Sequence, residues 1–260
     1  MTLFSFLNKF TSRCRFQTVL TGILIGDACG SPYEGRMVTG NAIGPYTDDT
    51  EQALGIANWL ASGDHSLKNL KVQLQGVFSG PQRGYGAGQA DFLQDKPTRK
   101  DSFGNGAAMR VACIGCYGKD AAQVIKLATL QCQLTHKHPE AVAGAVTIAL
   151  AVFLAKQGKS LDSLPKLYLQ ALMPEAGRKY NCSLQAVESV PPAMQAVIDG
   201  KNFESTLNKA LAYGNDTDTI AAMACAIAAM KYGIPKQRLK KVLAAHKDNQ
   251  KLYRVICRYR

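Results

Sequence analysis

Apolar residues along the chain recur at spacings of three and four, alanine-rich stretches are frequent, and strand-like alternation is nearly absent. That pattern predicts a mostly helical protein. Helices are expected over Gln17–Gly26, Thr50–Ser62, Ala107–Gly118, Ala121–Cys132, Pro139–Gln157, Leu161–Leu172, Val190–Asp199, Glu204–Tyr213, Ile220–Tyr232 and Lys236–Ala245. Most are joined by short loops. Two connections, Gly30–Thr47 and Ser79–Gly106, are long, glycine-bearing and polar, and long loops in a compact helical domain usually carry function. Small residues dominate Gly144–Ala151 and Ala221–Ala229, where they allow helices to pack closely in the interior. No shift in composition marks a second domain, so the expected fold class is all-α, a single compact helical domain over residues 17–260. Residues 1–16 read as an N-terminal extension. They carry Lys9, Arg13 and Arg15 without an acid, beside apolar Leu3, Phe4, Phe6 and Leu7, so a targeting leader is the alternative.

Composition narrows the picture. With 47% apolar and 19% charged residues in 260, the chain is too apolar for disorder. The longest uncharged apolar stretch, Ala141–Ala155, is shorter than the roughly 20 residues a bilayer-spanning helix needs, so it is expected to be a buried helix and no transmembrane segment is expected. The eight cysteines have no regular spacing and sit largely in apolar surroundings, as buried thiols do in a reducing compartment such as the cytoplasm. The single Cys-x-x-Cys, Cys113 to Cys116, lacks a second pair and reads as core.

The net charge of +12 suggests a polyanion partner until its location is considered. Nine Lys or Arg against Asp248 lie between Lys236 and Arg260, so eight of the twelve net charges belong to this end. The segment reads as an amphipathic surface helix or helix pair with a solvated face. Binding to nucleic acid or to an anionic surface is the minority reading, and it predicts salt-sensitive association.

Candidate chemistry concentrates at two loop-to-helix junctions. Thr47-Asp48-Asp49-Thr50 precedes one helix and Asp216-Thr217-Asp218-Thr219 another. Each alone reads as an N-cap with acids favoured by the helix dipole. Together they suggest an oxygen-rich site for Mg²⁺, Mn²⁺ or Ca²⁺, because four carboxylates brought close would repel without a cation. Alone, the alternating Gly84, Gly86 and Gly88 mark an irregular turn, Phe103 a core residue and His136 a structural histidine.

The ordered blocks carry more than any one of them. Gly26-Asp27-Ala28-Cys29-Gly30-Ser31-Pro32-Tyr33-Glu34, Thr47–Thr50, Arg83–Gly88, Ser102–Arg110, Thr135–Ala141 and Asp216–Thr219 together resemble the ADP-ribosylglycohydrolase family, over residues 22 to 233. The resemblance implies an all-α domain with a dinuclear metal site at helix N-termini, holding two Mg²⁺ (Mn²⁺ as alternative) on Thr47, Asp48, Asp49, Asp216, Asp218 and Thr219. It implies a catalytic or gating role for Glu34. Gly84, Gly86 and Gly88 would approach a pyrophosphate; Ser102, Phe103, Gly104, Asn105 and Gly106 would contact phosphate and adenosine, with Phe103 stacking on the base; His136 would contact substrate. His138 stays unassigned.

The implied activity is metal-dependent hydrolysis of the bond between ADP-ribose C1″ and an acceptor, with ADP-ribose and ADP-ribosylated proteins as partners. O-linked serine is preferred to arginine, and poly(ADP-ribose) and O-acetyl-ADP-ribose are further candidates. The alternative is a catalytically silent ADP-ribose-binding or structural relative. Three positions depart from the family's habit: Cys113 stands where proline is frequent, Asn215 and Ala229 where glycine is common.

Overall fold

The computed structural model describes residues 3–161, 164, 172 and 179–246. Twelve helices are defined among these residues: α1 (Leu3–Gly30), α2 (Asp48–Ser62), α3 (Leu67–Val77), α4 (Ala87–Leu93), α5 (Gly106–Met109), α6 (Ala112–Tyr117), α7 (Ala121–Cys132), α8 (Pro139–Lys156), α9 (Ala186–Asp199), α10 (Phe203–Leu211), α11 (Thr217–Tyr232) and α12 (Lys236–Ala245). Short 3₁₀ turns occur at Ser31–Tyr33 and Pro81–Arg83. Extended pairing among the described residues is limited to the isolated bridges Arg36 to Asn215, Asp101 to His136 and Gly104 to Gln185. The all-α expectation holds.

The core is built on α1 and α11, which pack against each other with α8 and α2 alongside. Their contact follows from glycines four residues apart. A Cβ on Gly22 would lie 2.5 Å from the Cys225 carbonyl oxygen, one on Gly26 2.2 Å from that of Ala221, and one on Gly30 2.4 Å from the Asp218 Cα. The helices therefore run antiparallel with backbones almost touching, which only glycine allows. Ala229, where the family favours glycine, places its methyl against Gly22, so the room is supplied from the opposite helix. α8, with 18 residues, is the one described helix long and apolar enough to cross a bilayer, and it is a buried core element of the bundle. Cys113 and Cys116 are buried free thiols on α6.

The expected helices differ from the observed ones in informative ways. α1 extends to Leu3 and Gly30, beyond Gln17–Gly26. The helix expected over Ala107–Gly118 is broken into α5 and α6 with Arg110 and Val111 between them. The helix expected over Val190–Asp199 begins earlier, at Ala186, and carries Pro191 and Pro192 inside as α9. α3 was not expected because it is mostly polar, burying only Leu70, Leu74 and Val77, and α4 interrupts what read as one long loop. The helix expected over Leu161–Leu172 falls for the most part outside the described residues, as does the basic segment beyond His246.

Candidate active site

Two helix N-termini far apart in sequence meet at one cleft. Thr47 is the N-cap of α2, its hydroxyl accepting from the Asp49 N–H at 3.3 Å, and Asp216 is the N-cap of α11. The helices are tied directly, since the Thr219 hydroxyl donates to Asp49 Oδ1 at 3.3 Å across 170 residues of chain. Asp48, Asp49, Asp216 and Asp218 are all buried. Among the described residues none of the four forms an ion pair. Burial first, and mutual repulsion with it, raises the carboxyls of Asp49 and Asp216 well above the usual range and Asp48 to about 8. Asp218 is raised by burial as well.

The donor set fits divalent cations. Among the described residues, Asp49 Oδ2 and Asp218 Oδ1 are buried without a hydrogen-bond partner, a costly state for carboxylate oxygens unless something positive completes them. Hard oxygen ligands, acids and threonine hydroxyls at two helix N-termini, suit Mg²⁺ or Mn²⁺.

Asp27, in the block Gly26–Glu34, belongs to the same cluster. One oxygen from each of Asp27, Asp49 and Asp218 lies within 4.8 Å of the other two. The Asp27 oxygens already accept from the Thr47 N–H at 3.0 and 2.9 Å, from the Thr50 N–H at 3.2 Å and from the Thr50 hydroxyl. Asp27 thus caps α2 from the neighbouring helix and positions Thr47–Thr50. Burial and Asp218 push its carboxyl up to about 7. An acid inside the apolar stretch of α1 was the available signal.

The cleft, a cavity of about 290 Å³, is lined by Glu34, Asp48, Gly84, Gly86, Gly88, Ser102, Gly104, Asn105, Gly106, His136, Asp216, Asp218 and Thr219, together with Gln52, Arg99 and Leu184 among others. Thr47 and Asp49 are not part of this lining. Phe103 is likewise outside the lining, 49% exposed beside the cleft, with its ring 6.1 Å from that of His138. His138 caps α8, its Nδ1 accepting from the Glu140 N–H at 3.4 Å.

Glu34 is exposed just after the 3₁₀ turn Ser31–Tyr33. Its loop is held over the start of α11 by the Gly35 N–H donating to the Asn215 carbonyl at 2.8 Å and the Thr217 hydroxyl to that of Tyr33 at 3.3 Å. Asn215 sits at φ 55°, a left-handed conformation that glycine adopts most readily and asparagine tolerates, which accounts for that departure from the family's habit. Partial burial and the Asp218 charge raise the Glu34 carboxyl.

The glycine loop is fastened to α2. Glu51 Oε2 accepts from the Tyr85 hydroxyl at 2.8 Å and the Ser79 N–H at 3.1 Å, and the Arg83 guanidinium stacks 4.1 Å over Tyr46 while donating to its carbonyl at 3.0 Å. Gly84 adopts φ 92° with its position for a Cβ 3.2 Å from Asp48 Oδ1. Gly86 and Gly88 face open space, so their missing side chains leave the cleft clear for a ligand. Asn105 lines the cleft, but its amide donates to Ser189 Oγ at 3.0 Å and to Asp216 Oδ2, so it also positions a candidate ligand.

The sequence profile of ADP-ribosylglycohydrolases matches residues 10–257. The chain is 29% identical to ADP-ribosylhydrolase ARH3 of Bos taurus and 28% identical to that of Homo sapiens, with 86% of each chain covered in both cases. It is 27% identical to an uncharacterized protein of Archaeoglobus fulgidus, over 87% of this chain and 90% of that one. A solved structure described as an ADP-ribosylglycohydrolase-related protein complex superposes with a TM-score of 0.66 at 23% identity, covering 95% of this chain and 98% of that one, a likeness of fold.

Proposed function

Because the chain belongs to the ADP-ribosylglycohydrolase family, a family of glycosidic-bond hydrolases, we propose that its acid-lined cleft removes ADP-ribose from modified proteins in a metal-dependent reaction. The observation that carries this reading is the meeting of the two acidic motifs with two orphaned carboxylate oxygens inside one glycine-walled cleft. Thr47, Asp48, Asp49, Asp216, Asp218 and Thr219 would hold two Mg²⁺ ions, with Mn²⁺ the alternative. When bound, such ions supply Lewis-acid charge beside the ribose and its attacking water.

The chain's own groups account for the rest. The amides of Gly84, Gly86 and Gly88 cradle the pyrophosphate, Ser102–Gly106 contact phosphate and adenosine, His136 contacts substrate, and exposed Phe103 offers a face for the base. Water forms a new bond to C1″ as the bond from C1″ to the acceptor oxygen breaks, and a proton passes to that oxygen. Glu34, a carboxyl raised by its surroundings at the cleft, suits giving or taking that proton at an oxocarbenium-like centre. The acceptor proposed is O-linked serine, on the likeness of Arg83–Gly88 and Ser102–Arg110 to members acting on that linkage.

The test is to incubate the protein with serine- and arginine-ADP-ribosylated peptides, with Mg²⁺ or with EDTA, and to follow free ADP-ribose by mass spectrometry. Release from the serine peptide in Mg²⁺ alone is expected. Release only from arginine overturns the linkage, and ADP-ribose binding without release from either favours a silent relative.

A further inference from the structure

Arg110 is fully buried between α5 and α6 and spends its guanidinium on neutral partners. Its Nε donates to Gln131 Oε1 at 2.7 Å, Nη1 to Gln52 Oε1 at 2.9 Å, and Nη2 to Thr135 Oγ1 at 3.1 Å and the Gln131 carbonyl at 3.4 Å. Among the described residues no acid forms an ion pair with it. A buried cation without a carboxylate is costly, so its value lies in what it orients. Two of its partners, Gln52 and Thr135, lie in the lining of the cleft and hold neighbouring lining residues. Gln52 donates from Nε2 to Asp48 Oδ2 at 2.8 Å, and Thr135 Oγ1 meets His136 Nδ1 at 2.7 Å.

Hydrogen-bond accounting then selects a tautomer. Arginine only donates, so Thr135 Oγ1 must accept from Nη2. If it also accepted from a protonated Nδ1, its own hydrogen would have no acceptor among the described residues, whereas a ring hydrogen on Nε2 opens onto the cleft. The hydroxyl therefore donates to Nδ1, and the ring hydrogen must sit on Nε2. That nitrogen lies 2.9 Å from where a Gly106 Cβ would stand, at the cleft wall, and makes no hydrogen bond within the described protein. We propose that Arg110, acting through Thr135, is a positioning residue that locks His136 as a neutral Nε2–H donor aimed at a ligand oxygen in the cleft. Burial, then the Arg110 charge, lowers the His136 pKa to about 3, so the ring is neutral across the working range.

The identity of that ligand as ADP-ribose rests on the proposed function, whereas the tautomer does not. The experiment is ¹⁵N-histidine NMR of the full chain at neutral pH, with the His136 signals assigned by a His136→Asn variant, joined to ADP-ribose titration. Expected are an Nε2–H ring in the wild type and in Thr135→Ser, loss of that preference in Thr135→Val, and roughly tenfold weaker ADP-ribose binding in Thr135→Val only. An Nδ1–H ring in the wild type, or an unchanged ring in Thr135→Val, overturns the relay. Should the wild type show the Nε2–H ring yet bind no ADP-ribose, the relay stands and the proposed function fails. Thr135→Val is nearly isosteric, so these readouts do not depend on Arg110 variants folding.

Discussion

Glu34 stands exposed at the cleft while Asp218 is buried with one oxygen unpartnered, so substitutions at the two should fail differently. Asp218→Ala is expected to abolish Mg²⁺ binding by calorimetry and activity with it. Glu34→Gln should lower kcat by about 100-fold or more and leave ADP-ribose affinity within about twofold. Unchanged turnover in Glu34→Gln would place the proton transfer elsewhere. Asn105→Ala removes the amide that holds Asp216 and should weaken Mg²⁺ binding about tenfold through a ligand it does not replace. Unaltered metal affinity there would confine Asn105 to substrate contact.

At the scale of elements, glycines fall into two kinds with opposite expectations. Gly30 is closed by the backbone at Thr217 and Asp218, so Gly30→Ala must push the start of α11 away, at a cost of about 1–3 kcal/mol, and move a candidate ligand with it. Thermal unfolding and Mg²⁺ titration should both show the loss. Gly86 faces open cleft, so Gly86→Ala should leave stability within about 0.5 kcal/mol while weakening ADP-ribose binding. Equal Tm in wild type and Gly30→Ala would contradict the close contact of α1 and α11.

The whole molecule carries a pH signature from its buried acids. Asp27 and Asp48 are raised from 3.8 to about 7 and about 8, first by burial, so their protonated forms favour the metal-free fold. That contribution is complete below the unfolded value and is lost as pH rises through the folded ones. Metal-free protein should thus lose Tm between about pH 4 and about pH 8 from these groups. Mg²⁺, which takes deprotonated ligands, should restore more stability at the upper end of that window. A Tm independent of pH in EDTA, with no added effect of Mg²⁺ near pH 8, would show that the acids are not clustered in solution.

The chain's local patterns determined its helical class, most helix positions and the identity of the acidic motifs, because periodicity and capping signals act over a few residues. Thr47–Thr50 and Asp216–Thr219 were each legible as loop-to-helix junctions, but neither carries information that the other lies beside it. The packing of α1 on both α11 and α2 decided that, through glycines whose spacing looks unremarkable until the facing backbone is present and through Asp27, which ties α1 to α2. The supporting residues followed the same rule. Asp27, Glu51 and Arg110 act on partners 20 or more residues away, so their roles arise from tertiary contacts that local sequence does not encode.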